Sequence, residues 1–571
     1  MGLPDLLDEP EDSRVLETPT DDAAGRSWRH FLSIAADVVA ILLLWAILVV
    51  PNDLDRLSTL SFLRLPIEIV VIIGLALVVP RRWRTLSAVL AGLLLAVLTI
   101  VKLADMGFYA AFDRPSNPAS DWVYLGSAID LLSVSIGRSA AIASVTVGGL
   151  LVVGLLLVSP WAVLRVVRVI GHHSRASTGA LALAGVGWVI LAVIGVGPVS
   201  SIPVASAEST RVLANHVVRL VKGVGDQRTF EEAAAVDPLQ QIPNDQLLDG
   251  LRGKDVIVAF VESYGRVAIE GSGIATGVTA VLDDGTRRLS DAGFSSRSAF
   301  LTSPTFGGLS WLAHATLQSG LWIDSQQRYD QLFETGRETL SEAFQRAGWR
   351  TVSAAPSNGE SWAEGERFYR FDAVYHAYNV GYRGPRFGYA TMPDQYVLDA
   401  FRRLELAPSN RPNVMAEIDL VSSHTPWTPN PRMVPWSELG DGSVFDRMPG
   451  EGPTRDVVWR DSRAVQASYG DSIEYTLSAL ISFVENFGDP NLVLIILGDH
   501  QPATIVSGTG AGYDVPVTIV AHDPAVLARI DKWAWQLGMT PGPDAPVTAM
   551  DAFRDSLIAA FSEGSPGAPV S

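Results

Sequence analysis

The chain has 571 residues, 48% of them hydrophobic and only 18% charged, which is apolar for a soluble protein of this length. It has no cysteine, and this excludes a disulfide framework, a thiolate metal site and a cysteine nucleophile together. A net charge of -18 argues against nucleic acid as a partner.

Residues 1–25 carry many acidic residues and several prolines with no sustained apolar period, so a disordered cytoplasmic tail is expected there. Five apolar runs follow, at about 31–50, 60–79, 86–105, 139–161 and 179–198. The first is too long for the apolar core of a cleavable signal peptide. A helix crosses a bilayer in ~20 residues, so residues 26–200 are expected to form a bundle of five transmembrane helices. Asp37 and Lys102 fall near span ends, where they are expected to reach the interface.

Positive charge sets the orientation. Arg26 and Arg29 precede the first run, Arg81, Arg82 and Arg84 join the second to the third, and Arg165, Arg168 and Arg175 join the fourth to the fifth. Five crossings put all three clusters on one side, so the N-terminus is expected to be cytoplasmic and everything after about residue 200 extracytoplasmic. The loop 104–138 holds Phe108, Tyr109, Phe112, Trp122 and Tyr124, and is expected to lie at the membrane surface near the domain that follows.

Residues 201–252 read as a connector. Within it Ser209–Val221 fits an amphipathic helix, with Arg211, Arg219 and Lys222 near anionic head groups. From residue 253 to about 565 strands alternate with helices. Val256–Val261, Trp349–Ala354, Val414–Val421, Leu492–Leu497 and Val515–Ala521 read as strands, and Thr339–Ala347 and Tyr475–Phe487 as helices. The pattern predicts an α/β domain built on a largely parallel sheet, with ligands beyond the carboxyl ends of the strands.

Three strands end in polar residues. The first leads into Glu262-Ser263, another into Ser422-Ser-His424, and a third into Gly498-Asp499-His500. Parallel neighbours would bring these groups to one edge. Glu262, Asp499 and His500 then form an oxygen and nitrogen set for a divalent cation, with Ser310 as a fourth ligand. Ser310 follows Gly307-Gly308 and opens an apolar helical stretch. A helix N-terminus there offers free N–H groups and partial positive charge to a phosphate or sulfate ester. On this reading Ser310 is the nucleophile, and His424 binds the substrate or protonates the leaving group. Each residue also has an ordinary alternative: Ser310 as a helix cap, Glu262 as a partner of Arg266, Asp499 and His500 as a turn, and His424 as a packed loop residue.

These motifs resemble the membrane-anchored branch of the alkaline phosphatase/sulfatase superfamily, with a layout similar to lipoteichoic acid synthase and to phosphoglycerol and phosphoethanolamine transferases. The resemblance covers nearly the whole chain after residue 25. It implies an N-terminal transmembrane domain and an extracytoplasmic α/β/α sandwich catalytic domain. It implies metal ligation by Glu262, Ser310, Asp499 and His500, with one divalent cation, Mn2+ or Mg2+, and Zn2+ or Ca2+ as alternatives. His424 falls on the substrate histidine of a Ser-His-x-Pro segment. The sulfatase signature ends in a glycine ten residues after its nucleophile, and Ser310 with Gly320 keeps that spacing. This favours Ser310 over Ser303, with Thr305 as the alternative.

The chain departs from the family in several places. Ser310-Trp-Leu-Ala-His314 lacks the proline and arginine that sulfatases need for formylglycine formation, which favours phosphoryl chemistry. His314 stands where the lipoteichoic acid enzymes carry an acidic residue. Of the family's head-group cluster, Trp362 is kept and Arg367 is a stand-in for the arginine, so both, with His314, are expected to bind substrate. The function implied is transfer of a phosphoglycerol- or phosphoethanolamine-like group from a membrane lipid to a cell-envelope polymer or glycolipid. A phosphodiesterase or sulfatase-type hydrolase and an inactive membrane-tethered binding factor are the alternatives. No nucleotide is expected, since no nucleotide-hydrolase phosphate loop is present.

Overall fold

The computed structural model describes residues 21–118, 120–126, 128–129, 133, 137–194, 204–359 and 363–563. Two compact units emerge. One holds the chain up to Leu103 together with Gly148–Ala214; the other holds Ala104–Val147 and everything from Asn215 onward.

The first unit is helical. α1 (Asp21–Val49), α2 (Ile67–Val78), α3 (Arg81–Phe112), α4 (Arg138–His172), α5 (Ser174–Ile194) and α6 (Glu208–Ala234) follow one another along the chain, with the end of α3, the start of α4 and most of α6 counted in the second unit. α1 begins at Asp21, inside the stretch expected to be a disordered tail; the rest of that tail lies outside the described residues. Among the described residues four helices are long and apolar enough to cross a membrane: Trp28–Val49, Arg81–Phe112, Arg138–His172 and Arg175–Ile194. The second expected span is shorter than the sequence suggested. Its α2 has 12 residues, about 18 Å of rise against a hydrocarbon core of ~30 Å. Thr59–Leu63 is instead a 3-10 turn. The next two residues are extended as β1 (Leu65–Pro66), which pairs in parallel with β2 (Ala205–Ser206). Pro66 lacks an N–H and stands just before the helix, so α2 cannot extend back through it.

Charges sort to two ends of this unit. At one, Arg165 pairs with Asp37 at 2.6 Å and the Arg84 side chain lies over Gly171. At the other, Lys102 departs from expectation. It does not reach the interface but is buried, donating to the carbonyls of Ile47, Leu48 and Val50 and to Ser209 Oγ at 2.7–3.4 Å. The last carbonyls of α1 have no partners within their own helix, and an ammonium satisfies several at once.

The second unit is built on a nine-stranded sheet. Its strands are β3 (Asp255–Val261), β4 (Ser295–Thr302), β5 (Arg350–Ala354), β6 (Ala373–Tyr375), β7 (Val414–Leu420), β8 (Leu492–Gly498), β9 (Asp514–Ala521), β10 (Gln536–Leu537) and β11 (Val547–Ala549). The order is β10-β4-β9-β8-β3-β7-β5-β6, with β11 also beside β4. The stretch from β8 to β6 is parallel, as the sequence predicted, whereas β9 runs antiparallel to β8 and to β4. The sheet is therefore mixed. β4, Ser295-Ser-Arg-Ser-Ala-Phe-Leu-Thr302, has too polar a first half to read as a strand in isolation.

Both faces are covered. Ile257, Ala259 and Val261 of β3 join one apolar core with α7 (Ala275–Asp291) and the long helix Ser462–Phe487. Val256, Val258 and Phe260 join another with α8 (Ser310–Ser319) and the C-terminal helix Met550–Phe561. Strand alternation thus divides a continuous apolar run between two helical layers, giving the expected three-layer α/β/α domain. The register aligns Val261 with both Leu420 and Gly498, so the next residues of three strands emerge together.

Candidate active site

The aligned strand ends bring Glu262, Asp499 and His500 into one buried cluster. His500 Nε2 lies 3.4 Å from both Glu262 Oε1 and Asp499 Oδ2. Gly498 makes this possible: a Cβ there would come within 1.9 Å of the Tyr264 carbonyl, so only glycine lets the β8 end pass so close to the turn after β3.

Ser310 reaches the cluster from the N-terminus of α8. Its Oγ donates to Glu262 Oε2 at 2.9 Å and lies 3.2 Å from His500 Nε2. The chain approaches through Gly307 and Leu309, both with positive φ. A left-handed leucine is uncommon and costs backbone energy, which the surrounding packing must hold. Ser303 and Thr305 are buried, and Ser303 Oγ donates to the Asp499 carbonyl and accepts from Thr305 N. Glu262 is not Arg266's partner either, since Arg266 pairs with Glu270 and Asp514.

Supporting hydrogen bonds aim these groups. Asp499 Oδ1 accepts from the backbone N–H of Ser263 and of His500, which leaves Oδ2 facing the cluster. His500 Nδ1 lies 2.8 Å from the Gln501 carbonyl and donates to it, so Nε2 is the nitrogen that faces the cluster. Two carboxylates, an imidazole nitrogen and a hydroxyl, with outer partners in place, suit a hard or borderline divalent cation.

The electrostatics agree with such a role. Burial opposes ionisation of Glu262, but the hydrogen bond and charge of His500, with the Ser263 hydroxyl, outweigh it and hold the carboxyl well below its usual range. Burial and the Glu262 charge push Asp499 up to about 6. Burial also opposes protonation of His500, yet Asp499 and Glu262 outweigh it and raise the ring to about 9.

A cavity of about 750 Å³ opens beside Ser310. His424 lines it, with Nδ1 2.6 Å from the Thr425 carbonyl and its ring stacked 3.6 Å from Tyr389. Burial lowers its pKa, only partly offset by Glu262, so the ring is neutral and Nε2 is the acceptor nitrogen. His314, one turn after Ser310, also lines the cavity. It stacks on Phe260 and faces Glu417 at 2.9 Å and Asp419 at 3.5 Å. Burial opposes its protonation, but Asp419 and Glu417 raise it to about 9.

Arg367, in the helix Ala363–Tyr369, lies apart from this cavity. It lines a separate surface groove with Asp330, Phe333 and Arg370, because the helix turns that side away from Ser310. Trp362 falls outside the described residues. Sequence reasoning missed Tyr389, Glu417 and Asp419. The last two occupy alternate positions in Val-Met-Ala-Glu-Ile-Asp-Leu, a polar pair on one face of a buried strand, and that alternation was the available signal.

No family model and no curated protein matches the sequence. Solved structures do. The lipoteichoic acid synthase LtaP from Listeria monocytogenes is matched at 14% identity over 60% of this chain and 79% of that one, with a TM-score of 0.37. The phosphoglycerol transferase GacH from Streptococcus pyogenes, in complex with sn-glycerol-1-phosphate, is matched at 14% identity over 58% and 80%, with a TM-score of 0.35. A protein in the alkaline phosphatase superfamily from Vibrio parahaemolyticus is matched at 14% identity over 59% and 74%, also at 0.35.

Proposed function

We propose that the chain is a membrane-anchored, metal-dependent phosphotransferase that carries a phospho-substituent from a membrane lipid to a cell-envelope acceptor through a covalent Ser310 intermediate. The observation that carries this reading is Ser310 Oγ at a helix N-terminus, within hydrogen-bond reach of both Glu262 and His500. Glu262, Asp499, His500 and Ser310 would hold one divalent cation. When bound, it stabilises a serine alkoxide and the charge that develops on the phosphoryl oxygens.

Ser310 Oγ attacks phosphorus, and the bond from phosphorus to the lipid alcohol breaks. His424 Nε2 takes the serine proton and returns it to the departing oxygen. An acceptor hydroxyl then gives its proton to the same nitrogen, attacks phosphorus and displaces Ser310, whose departing oxygen takes that proton back. The ester type is conserved and no nucleotide is needed. The cavity wall is acidic and aromatic: Glu366, Glu417 and Asp419 line it with Trp311, Tyr329 and Tyr389, and the described lining residues include no lysine or arginine. This lining suits an ammonium-bearing, phosphoethanolamine-like group better than a neutral glycerol head.

Three basic clusters flank the helices, and the positive-inside rule supports a cytoplasmic N-terminus and an extracytoplasmic second unit. The test is mass spectrometry of the full-length protein incubated with Mn2+ and a membrane lipid extract, beside Ser310→Ala. An adduct on the Ser310 peptide, absent from the variant, is expected, and its mass names the group carried. Release to water without an added acceptor would make the protein a hydrolase of the same class. Unchanged turnover in Ser310→Ala would overturn the reading.

A further inference from the structure

The segment after α3 is part of the catalytic unit, although it joins two membrane-length helices. α3 has 32 residues, about 48 Å of helix, which exceeds the ~30 Å that a bilayer core takes up. Phe108, Tyr109 and Phe112, expected in a loop, belong to this helix. Its last residues are built into the second unit. The Ala110 carbonyl accepts from Thr504 Oγ1 at 2.8 Å. The Ala111 carbonyl lies against Gly307, so closely that a Cβ there would come within 1.7 Å of it.

The chain that follows is pinned. Asp105, fully buried, accepts from Ser116 N and Oγ at 2.9 and 2.7 Å and faces His216 Nε2 at 3.1 Å. Arg114 grips Asp121 through two hydrogen bonds of 2.9 and 3.1 Å. These ties hold a 3-10 turn, Asp121–Tyr124, whose side chains divide. Tyr124 is buried, its ring 6.1 Å from that of Trp311, the neighbour of Ser310, and it lines the cavity together with Val123. Trp122 and Leu125 are exposed, at 66% and 64%.

We propose that this turn is a membrane-seated lip of the catalytic cavity: Val123 and Tyr124 close its wall, while Trp122 and Leu125 sit in the head-group zone of the bilayer. The occupant is the lipid surface. The turn lies in the chain between the membrane-length helices α3 and α4, so in the proposed topology it belongs to a connection on a single membrane face. An exposed tryptophan and leucine in such a stretch have the character of interfacial anchors. The lip lets a head group reach Ser310 while its acyl chains stay in the bilayer. This inference rests on the proposed use of a lipid donor.

The chain has no cysteine, so Leu125→Cys and, as a solvent control, Leu537→Cys each give one labelling position. The full-length variants would carry a nitroxide in vesicles of phosphatidylethanolamine and phosphatidylglycerol. Oxygen is expected to relax the label at 125 more than a water-soluble nickel chelate does, with the reverse at 537. The double variant Trp122→Ser/Leu125→Ser is expected to lose at least about tenfold in turnover of vesicle lipid, since each apolar side chain contributes that order of partitioning. Its turnover of bis(p-nitrophenyl) phosphate should match the parent. A label at 125 as accessible to nickel as that at 537, or equal losses on both substrates, would overturn the lip. A parent inactive on both substrates would sink the phosphotransferase reading, and the label would still decide whether the turn enters the membrane.

Discussion

At His500 the nitrogen proposed to ligate the cation also carries a proton. Without a cation its Nε2 is protonated up to about 9, because Asp499 and Glu262 outweigh the burial that opposes the charge. A cation needs the same lone pair, so binding must release the proton. Affinity for Mn2+ is therefore expected to rise about tenfold per pH unit between pH 6.5 and 8.5 and to level off near 9. Titration calorimetry in buffers of different ionisation heat would also count the released proton. A flat profile would mean that His500 does not ligate. Glu262, Asp499, His500 and His424 were legible in the sequence because each directly follows a strand or sits in a short motif. Tyr389 was not, since a ring that stacks on His424 from a distant loop leaves no mark in local sequence. Glu417 and Asp419 lie inside a strand rather than at its end, and only α8 crossing that face turns them into cavity wall.

At the level of elements, the glycine loop before α8 is the joint on which the site depends. Gly307 has a φ of 71° and the Ala111 carbonyl against it. Gly307→Ala adds strain and a clash with backbone that cannot move aside. It is expected to push the end of α3 off the loop and to displace Ser310, and a 1 Å misplacement costs on the order of a hundredfold in rate. Turnover of a soluble diester should fall while Mn2+ affinity, set mainly by Glu262, Asp499 and His500, falls much less. Equal loss of both would mean that the loop only supports the fold. α2 teaches a related lesson about hydropathy. The run 60–79 looked like one span because its composition is continuous, yet Pro66 and a two-residue parallel pairing with Ala205–Ser206 divide it into a turn and a short helix.

At the level of the molecule, the proposed metal ligands join the ends of two strands and the start of α8, elements far apart in sequence. A cation at that point ties them together and binds the folded state alone. At a hundredfold excess over its dissociation constant it should stabilise the second unit by about 2.7 kcal/mol. Thermal unfolding in detergent, with Mn2+ and after chelation, should show an upward shift that Asp499→Ala abolishes. A shift that persists in that variant would place the cation elsewhere.

Local sequence was enough to determine the apolar helices, the parallel strands from β8 to β5 and the polar residues at their ends. Each of these follows from periodicity within a few residues or from a short motif, and neither depends on distant chain. Tertiary structure alone decided the rest. β9 turned antiparallel and recruited the half-polar β4, because strand direction depends on which edge the chain returns to. Lys102 became buried because the end of α1 needed donors. The end of α3 and the segment after it came to lie beside Ser310 because Ala111 and Tyr124 meet Gly307 and Trp311, residues nearly two hundred positions away. Such meetings are set by packing between elements, which no local pattern of residues encodes.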